Sequence, residues 1–229
     1  KGVATGAGAS VKRMFITGVS PVTLDDVTSG FNIASMVTTE PRFNEVLGFT
    51  EDEVREMLEY YKGEGCWNGE TEDVLGVMRE WYDNYCFSKS CCGVRMYNPD
   101  MVLYFVNSLV SNGVVPDTLV DVNVRTDYGK LRHLVILDKR LNGNFSRIRQ
   151  IAEEGEVSAT IVSSFPAEEL VKPDNFTSLL FYFGILTIDR VERGKTVLRV
   201  PNLTIRQILF SYIEQGYREA DVFNVKTWK

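Results

Sequence analysis

The chain has 229 residues, of which 44% are hydrophobic and 24% are charged, and its formal net charge is -6. This composition is typical of a globular protein and excludes disordered and fibrous classes. At this length there is room for one or two compact domains. The negative charge disfavours broad attraction to phosphate backbones. No apolar run approaches the roughly 20 residues that a membrane span requires, so we expect no membrane partner.

The four cysteines, Cys66, Cys86, Cys91 and Cys92, include an adjacent pair. Adjacent cysteines are poorly suited to a structural disulfide framework and are ordinary for reduced thiols. Together with the lack of a signal-peptide-like stretch near the amino end, they indicate a cytoplasmic location. A zinc site made of Cys86, Cys91, Cys92 and the single histidine, His133, is an alternative interpretation, but the spacing matches none of the usual paired-ligand patterns.

Residues 12–19 form a short hydrophobic run that stops at Gly18 and Pro21, which predicts a buried strand. A buried strand needs neighbours, and the next strand candidate lies far downstream. We therefore expect the sheet of this strand to lie before Lys1, in a longer protein.

Two helices are predicted next and are expected to pack as a hairpin. A capping box of Thr50 and Glu53 marks the start of the first helix, and Gly63 and Gly65 mark its end. The second helix has a single apolar stripe, formed by Val74, Met78, Trp81 and Tyr85.

A third helix is predicted between Asn98 and Gly113. Asn98 is a suitable cap, Pro99 suits the first helical position, and Gly113 is a suitable stop. Further helical stretches are predicted around residues 130–137 and 145–154.

The last third of the chain predicts a helix, a hairpin and another helix, an order typical of a winged-helix-like unit. Asp174 is expected to cap the first of these helices and Gly184 to end it. The first strand, the turn, the second strand and the last helix are predicted at residues 185–191, 192–195, 196–200 and 203–213.

Three basic residues lie on and beside the predicted hairpin: Arg190, Arg193 and Lys195. Such a hairpin often contacts the nucleic-acid backbone, so these three are candidate nucleic-acid-binding residues. Asp189 and Glu192 are interleaved with them, and this mixture favours a solvated turn of mixed charge.

A phosphate-binding loop requires Gly, four residues, Gly, Lys and then Ser or Thr, and no window of the chain fits. One histidine and no paired carboxylates leave no recognisable catalytic constellation. No catalytic residue and no metal ligand is therefore predicted within this chain.

Several phrases of the sequence occur together in one known family. They are residues 15–24 (FITGVSPVTL), 28–34 (TSGFNIA), 41–44 (PRFN), 47–50 (LGFT), 81–85 (WYDNY), 97–99 (YNP), 178–182 (SLLFY) with Gly184, and 201–202 (PN). By these phrases the chain resembles the predicted AAA-ATPase-like family of bacterial proteins over nearly its whole length.

In that family a P-loop module with Walker A and Walker B motifs comes first, and many members end in a PD-(D/E)XK nuclease-like domain. The resemblance implies that ATP and Mg²⁺ are bound in the intact protein by a preceding P-loop module, with no cofactor for this chain alone. It also implies a nuclease-like domain as a following partner. Residues 12–19 would then be the sensor 1 strand.

The resemblance places Thr17 near the terminal phosphate of the nucleotide, where a hydroxyl could orient water or sense the γ-phosphate. The alternative is that Thr17 only satisfies a strand end. Arg42 is a further candidate, as a charge-stabilising arginine without a supporting motif. Where the family usually has Trp-Tyr-Asp-Gly-Tyr, this chain has Asn84, and because asparagine tolerates a left-handed conformation we expect the turn to be kept.

We therefore expect a mostly helical α+β chain. Residues 1–49 would be the trailing end of a P-loop α/β core, 50–156 a helical subdomain, and 157–229 a winged-helix-like subdomain. The expected function is to couple nucleotide state to a partner or an attached effector, without catalysis by this chain alone. The alternatives are a winged-helix nucleic-acid-binding or protein-interaction module, and an autonomous enzyme with an unrecognised site.

Overall fold

The computed structural model describes residue 15 and residues 22–23, 35–121 and 143–219. These ranges form an α+β fold, as predicted. The helices are α1 (Glu51–Gly63), α2 (Thr71–Tyr82), α3 (Pro99–Asn112), α4 (Gly143–Glu154), α5 (Pro173–Tyr182) and α6 (Leu203–Glu219). The strands are β1 (Val22–Thr23), β2 (Glu156–Ala159), β3 (Phe165–Pro166), β4 (Thr187–Glu192) and β5 (Lys195–Arg199), and short 3-10 turns cover Pro41–Phe43 and Ala167–Val171.

Helix α1 begins as the capping box predicts. The Thr50 hydroxyl accepts the backbone N–H of Glu53 at 3.3 Å, and the Glu53 carboxylate accepts the backbone N–H of Thr50 at 2.8 Å. The helix packs against α2, which confirms the predicted hairpin. Helix α2 ends at Tyr82, so the prediction that Tyr85 continues its stripe is wrong. Asn84, at a φ of 80°, turns the chain out of the helix, and the expected left-handed turn is confirmed.

Helix α3 has the predicted bounds. The Asn98 side chain accepts the backbone N–H of Met101 at 3.2 Å, and Gly113 ends the helix with a φ of 70°. Helices α1, α2 and α3 share the first hydrophobic cluster, whose largest fully buried members are Leu58, Leu75, Met78, Tyr82, Tyr97, Met101, Phe105 and Leu109.

A second hydrophobic cluster lies between α4, α5, α6 and a three-stranded antiparallel sheet of order β2-β5-β4. Strand β2, which the sequence analysis missed, pairs with β5 from Glu156↔Arg199 to Ala159↔Thr196. The second cluster also contains Tyr85, Cys86 and Met96. Strands β1 and β3 form a separate short parallel pair.

Three details of this second half differ from the sequence-based expectation. Helix α5 starts at Pro173 with Lys172 as N-cap, so Asp174 lies in the first turn and does not cap the helix. Gly184, at a φ of 72°, follows its end as predicted. Helix α6 extends beyond Ile213 to Glu219.

Some predicted elements lie outside the described residues. These are the helix around 130–137 and the strand at 12–19, apart from Phe15, which has no regular structure and is 66% exposed. The predicted domain boundaries stay a prediction. Within the described ranges, none of the helices combines the length and the apolar character needed to cross a lipid bilayer.

Candidate functional site: an apolar cavity and a polar junction

A cavity of about 350 Å³ opens beside the start of α3 and the end of α5. Its lining is apolar and aromatic, and no charged residue of the described chain contributes to it. Phe43 and Leu47 line one part of it, Tyr85 and Tyr97 another, and Tyr182 a third. These residues belong to separate phrases on which the expected family resemblance rests, so phrases far apart in the sequence meet around one cavity.

The last turn of α2 and the residues after it connect this cavity to α6 through backbone carbonyls. The carbonyl of Trp81 accepts the hydroxyl of Thr204 at 2.7 Å, and the carbonyl of Asp83 accepts the side-chain amide of Asn202 at 2.9 Å. The Asn202 side chain also accepts the backbone N–H of Ile205 at 3.2 Å. One asparagine therefore caps α6 and holds the turn after α2.

Cys86 extends this network of polar contacts, which we call the polar junction, into the sheet. Its N–H donates to the Thr187 hydroxyl at 2.7 Å, and its carbonyl accepts the same hydroxyl at 3.1 Å and the backbone N–H of Ile188 at 3.2 Å. All these atoms are buried, and buried hydrogen bonds between backbone groups are costly to leave unmade. The start of β4 is thereby tied to the chain segment that lines the cavity.

Arg95 covers the outer edge of β4. Its guanidinium donates to the carbonyl of Ile188 at 2.6 Å and to that of Asp189 at 3.1 Å, and it lies 3.5 Å from the Asp189 carboxylate. The Asp189 carboxylate also lies 3.2 Å from Nε of Arg199. Nη2 of the same arginine donates to the side-chain oxygen of Asn84 at 2.9 Å. These partly buried charges close the polar junction.

Asp83 is a buried group of the junction that is only partly satisfied. It is 8% exposed, and its Oδ1 has no hydrogen-bond partner among the described residues. Burial raises its pKa above the usual range, and the nearby charge of Glu51 adds to that effect. The backbone N–H of Asn84 and the charges of Arg79 and Arg95 oppose the shift without cancelling it.

Glu51, near Asp83, shows the opposite behaviour. The Arg79 guanidinium binds it through two hydrogen bonds of 2.9 and 2.8 Å, and the Tyr97 hydroxyl donates to it at 3.2 Å. The hydrogen bond from Arg79 is the main reason that the pKa of Glu51 is lowered. This carboxylate is therefore a structural anion of the helical hairpin.

The β4–β5 hairpin contains the three candidate nucleic-acid-binding residues. Arg193 and Gly194 have φ values of 50° and 79°, as a type I′ turn requires, so the predicted turn at residues 192–195 is confirmed. Arg190 lies 2.9 Å from Glu156, 2.7 Å from Asp189 and 3.4 Å from Glu192, which neutralises its charge.

Arg193 and Lys195 are exposed and form no ion pair with the described residues. In a helix-turn-helix-type unit, the recognition helix enters the DNA groove and contacts base edges. The helix that precedes the hairpin is α5, and all of its residues from Asn175 to Phe181 are buried. This helix contains no Lys or Arg, so it offers no basic face beside the exposed hairpin cations.

The remaining candidates are not gathered into one site. Thr17 and His133 lie outside the described residues. Arg42 is exposed, pairs with Glu40 at 2.7 Å and lies over the Phe43 ring at 4.8 Å. Among the described residues, no group of three or more His, Cys, Asp or Glu side chains could hold a metal ion.

Sequence reasoning missed most of the polar junction. Asn202 was noted because it belongs to a family phrase, and Asn84 because it departs from one, but nothing in the sequence singled out Arg95 or Arg199. The partners of Arg95 lie more than ninety residues away along the chain, and Asn84, a partner of Arg199, lies 115 residues away from it. Only the fold brings them together.

Comparison with known proteins gives no match. No family model fits this chain, and it resembles neither a curated protein nor a solved structure closely enough to count.

Proposed function

We propose that this chain is the regulatory, coupling portion of an AAA-ATPase-like protein, in which a preceding P-loop module binds and hydrolyses ATP with Mg²⁺. The observation that carries this proposal is the convergence of the family-like phrases on one apolar cavity. Phe15 lines that cavity and lies two residues before Thr17, the candidate γ-phosphate sensor. A change at the nucleotide would then reach the cavity wall first.

The polar junction gives such a change a route to the sheet. Tyr85 lines the cavity, and its neighbour Cys86 is hydrogen-bonded to Thr187 and Ile188 of β4. Arg95 binds the same edge from the segment that leads into α3. A displacement of the cavity wall must either move β4 with it or break buried hydrogen bonds, which cost about 1–3 kcal/mol each when left unmade.

We further propose that the second half of the chain is a winged-helix-like unit used for protein contact. Its support is the order of elements from α4 to β5 and the strand order β2-β5-β4, in which the first strand pairs with the last. The buried α5 and the neutralised Arg190 favour a protein partner over a nucleic acid. Binding to DNA that weakens with salt and is lost in Arg193→Ala and Lys195→Ala would support the alternative.

Hydrogen exchange on the intact protein, with and without a non-hydrolysable ATP analogue, tests the coupling. We expect nucleotide to slow exchange both around the cavity and along β4. In Arg95→Gln the response should remain at the cavity and weaken along β4, because two of the contacts that bind this edge are lost while those of Cys86 remain. Arg79→Gln, which removes a pair within the helical hairpin, is the matched control. Failure of the intact protein to bind nucleotide, or a β4 response of the same size in Arg95→Gln and the wild type, would contradict the proposal.

A simpler measurement concerns the chain by itself. The 229 residues lack the backbone cradle and lysine that hold a triphosphate. We therefore expect no ATP turnover by this purified chain in the presence of Mg²⁺. A rate above that of a blank, which persists through successive purification steps, would show that these residues perform the chemistry themselves.

A further inference from the structure

Two cysteine side chains converge on one carbonyl oxygen in the loop that follows the polar junction. Sγ of Cys86 lies 3.2 Å from the carbonyl oxygen of Ser88, and Sγ of Cys92 lies 4.0 Å from the same oxygen. The loop turns back on itself because the backbone N–H of Cys91 donates to that oxygen too, at 3.0 Å. The two thiols are thus neighbours across a tight loop.

The other two cysteines are placed differently. Sγ of Cys91 lies 3.8 Å from the carbonyl of Pro41, on another segment of the chain, although it is adjacent to Cys92 in sequence. Cys66 packs against the first hydrophobic cluster, whereas Cys86 belongs to the second. The geometry therefore singles out one pair of the four cysteines.

We propose that Cys86 and Cys92 form a reversible disulfide when the protein meets a peroxide, which makes this loop an oxidation site. Cys92 is the more accessible of the two and reacts first: its sulfur bonds to one peroxide oxygen, the O–O bond breaks, and water and a sulfenic acid form. Cys86 then attacks the Cys92 sulfur, the S–S bond forms, and the S–O bond breaks. The hydroxide that leaves takes up the proton lost by Cys86, so two thiols and one peroxide give one disulfide and two waters.

The environment of Cys86 explains why the reaction is selective. Cys86 is 0% exposed, so a dissolved oxidant or a second protein molecule does not reach it. Its loop neighbour Cys92 is partly exposed, and the oxidant does reach that thiol. Burial also raises the pKa of this thiol to about 11. Because the thiolate is the nucleophile, the second step should accelerate as the pH rises from neutral toward that value.

The bond would act directly on the polar junction. The peptide groups of Cys86 are held by Thr187 and Ile188, and closing an S–S bond of about 2.05 Å removes the S–H groups that face the Ser88 carbonyl. Oxidation should therefore change the exchange of the β4 amides with solvent. This inference stands on the cysteine geometry alone and does not depend on the proposed coupling to a nucleotide.

Peptide mapping of the whole chain after treatment with one equivalent of hydrogen peroxide tests the proposal. Trypsin cleaves after Lys89, between the two cysteines, so the disulfide would join two separate peptides. One of these contains both Cys91 and Cys92, and variants are needed to tell them apart. We expect the linked pair to form in the wild type, to survive in Cys91→Ser and Cys66→Ser, and to be lost in Cys92→Ser. A reductant should restore the free peptides.

Other outcomes would overturn the proposal. They are a linked pair that persists in Cys92→Ser, a linked pair that is lost in Cys91→Ser, and oxidation that stops at sulfinic acid on Cys92 while Cys86 remains a thiol. A circular dichroism melt of each variant before oxidation shows that it is folded. If Cys92→Ser does not fold, Cys92→Ala and the pH dependence of cross-linking in the wild type test whether Cys92 is the partner of Cys86.

Discussion

Asp83 is a buried carboxyl group whose environment favours the proton-bound form. Its Oδ1 has no partner among the described residues, and burial raises its pKa above that of the unfolded chain. The folded state therefore binds this proton more tightly than the unfolded state does. The stability that results is present at low pH and is lost as pH rises from the unfolded pKa, near 3.8, through the folded pKa.

Asp83→Asn should remove the loss of stability that accompanies ionisation of this buried carboxyl as pH rises. We expect the variant to be more stable than the wild type at pH 7 and the difference to shrink as pH is lowered toward 4, because the wild-type carboxyl then becomes neutral as well. Urea unfolding of both proteins across that pH range measures it. Asp73→Asn, at an exposed position of α2, is the control and should show no such trend. A variant that is less stable than the wild type at pH 7, with a deficit that shrinks toward pH 4, would mean that the charge of Asp83 is stabilising.

Asn44 holds two backbone groups for which the described part of the chain shows no other acceptor. Its side-chain oxygen accepts the backbone N–H of Phe87 at 2.9 Å and that of Ser88 at 3.1 Å, and the residue is fully buried. We expect Asn44→Ala to lower the free energy of unfolding by about 2–4 kcal/mol, because both donors lose their acceptor in a buried place. Chemical denaturation measures the change, and Asn68→Ala, at an exposed site, should leave it nearly unaltered.

At the scale of elements, a single glycine sets how closely α4 and α6 approach. A Cβ atom placed on Gly216 would lie 2.3 Å from the buried Phe145 ring, whereas one on Gly76 in α2 would meet nothing within 4 Å. Gly216→Ala should therefore destabilise the protein by about 1–3 kcal/mol through overpacking. Gly76→Ala should stabilise it by about 0.5–1 kcal/mol, because alanine is the better helix former. Thermal melts of the two variants should move in opposite directions, and a shared direction would refute this packing.

The ends of α1 and α3 were predicted well, because their signals are local. Thr50, Asn98 and Gly113 act at the ends of α1 and α3 through atoms within a few residues. Strand β2 had no such signal, since its four residues become a strand only by pairing with β5, about forty residues later. The cavity was invisible for the same reason: its aromatic residues resemble core positions one by one, and only tertiary packing gathers them.

At the scale of the whole molecule, the negative charge is unevenly distributed. Residues 51–80 contain ten acidic and three basic side chains, a net charge of -7, whereas the entire chain carries -6. Some of these acids are paired, as Glu72 is with Arg55. Others, such as Asp52 and Glu56 one helical turn apart on α1, are exposed and form no ion pair among the described residues.

Reversing one unpaired charge should stabilise this acidic hairpin. We expect Glu56→Lys to raise the free energy of unfolding by about 0.5 kcal/mol at low salt, because a like-charge pair on one face of α1 becomes an attractive pair. The gain should fade in 1 M NaCl, where charges are screened beyond about 3 Å. Glu72→Lys, which breaks the pair with Arg55, should have the opposite sign at low salt. Equal effects of the two variants would show that repulsion between acidic side chains does not destabilise this hairpin.

The guanidinium that covers the β4 edge also matters between molecules. An open strand edge invites pairing with another chain and, from there, fibre growth. Arg95 occupies the carbonyls of Ile188 and Asp189, and Cys86 occupies the amide of Ile188, so these three backbone groups are not open to another chain. The same side chain that ties the helices to the sheet therefore also shields part of the β4 edge from pairing with a second molecule.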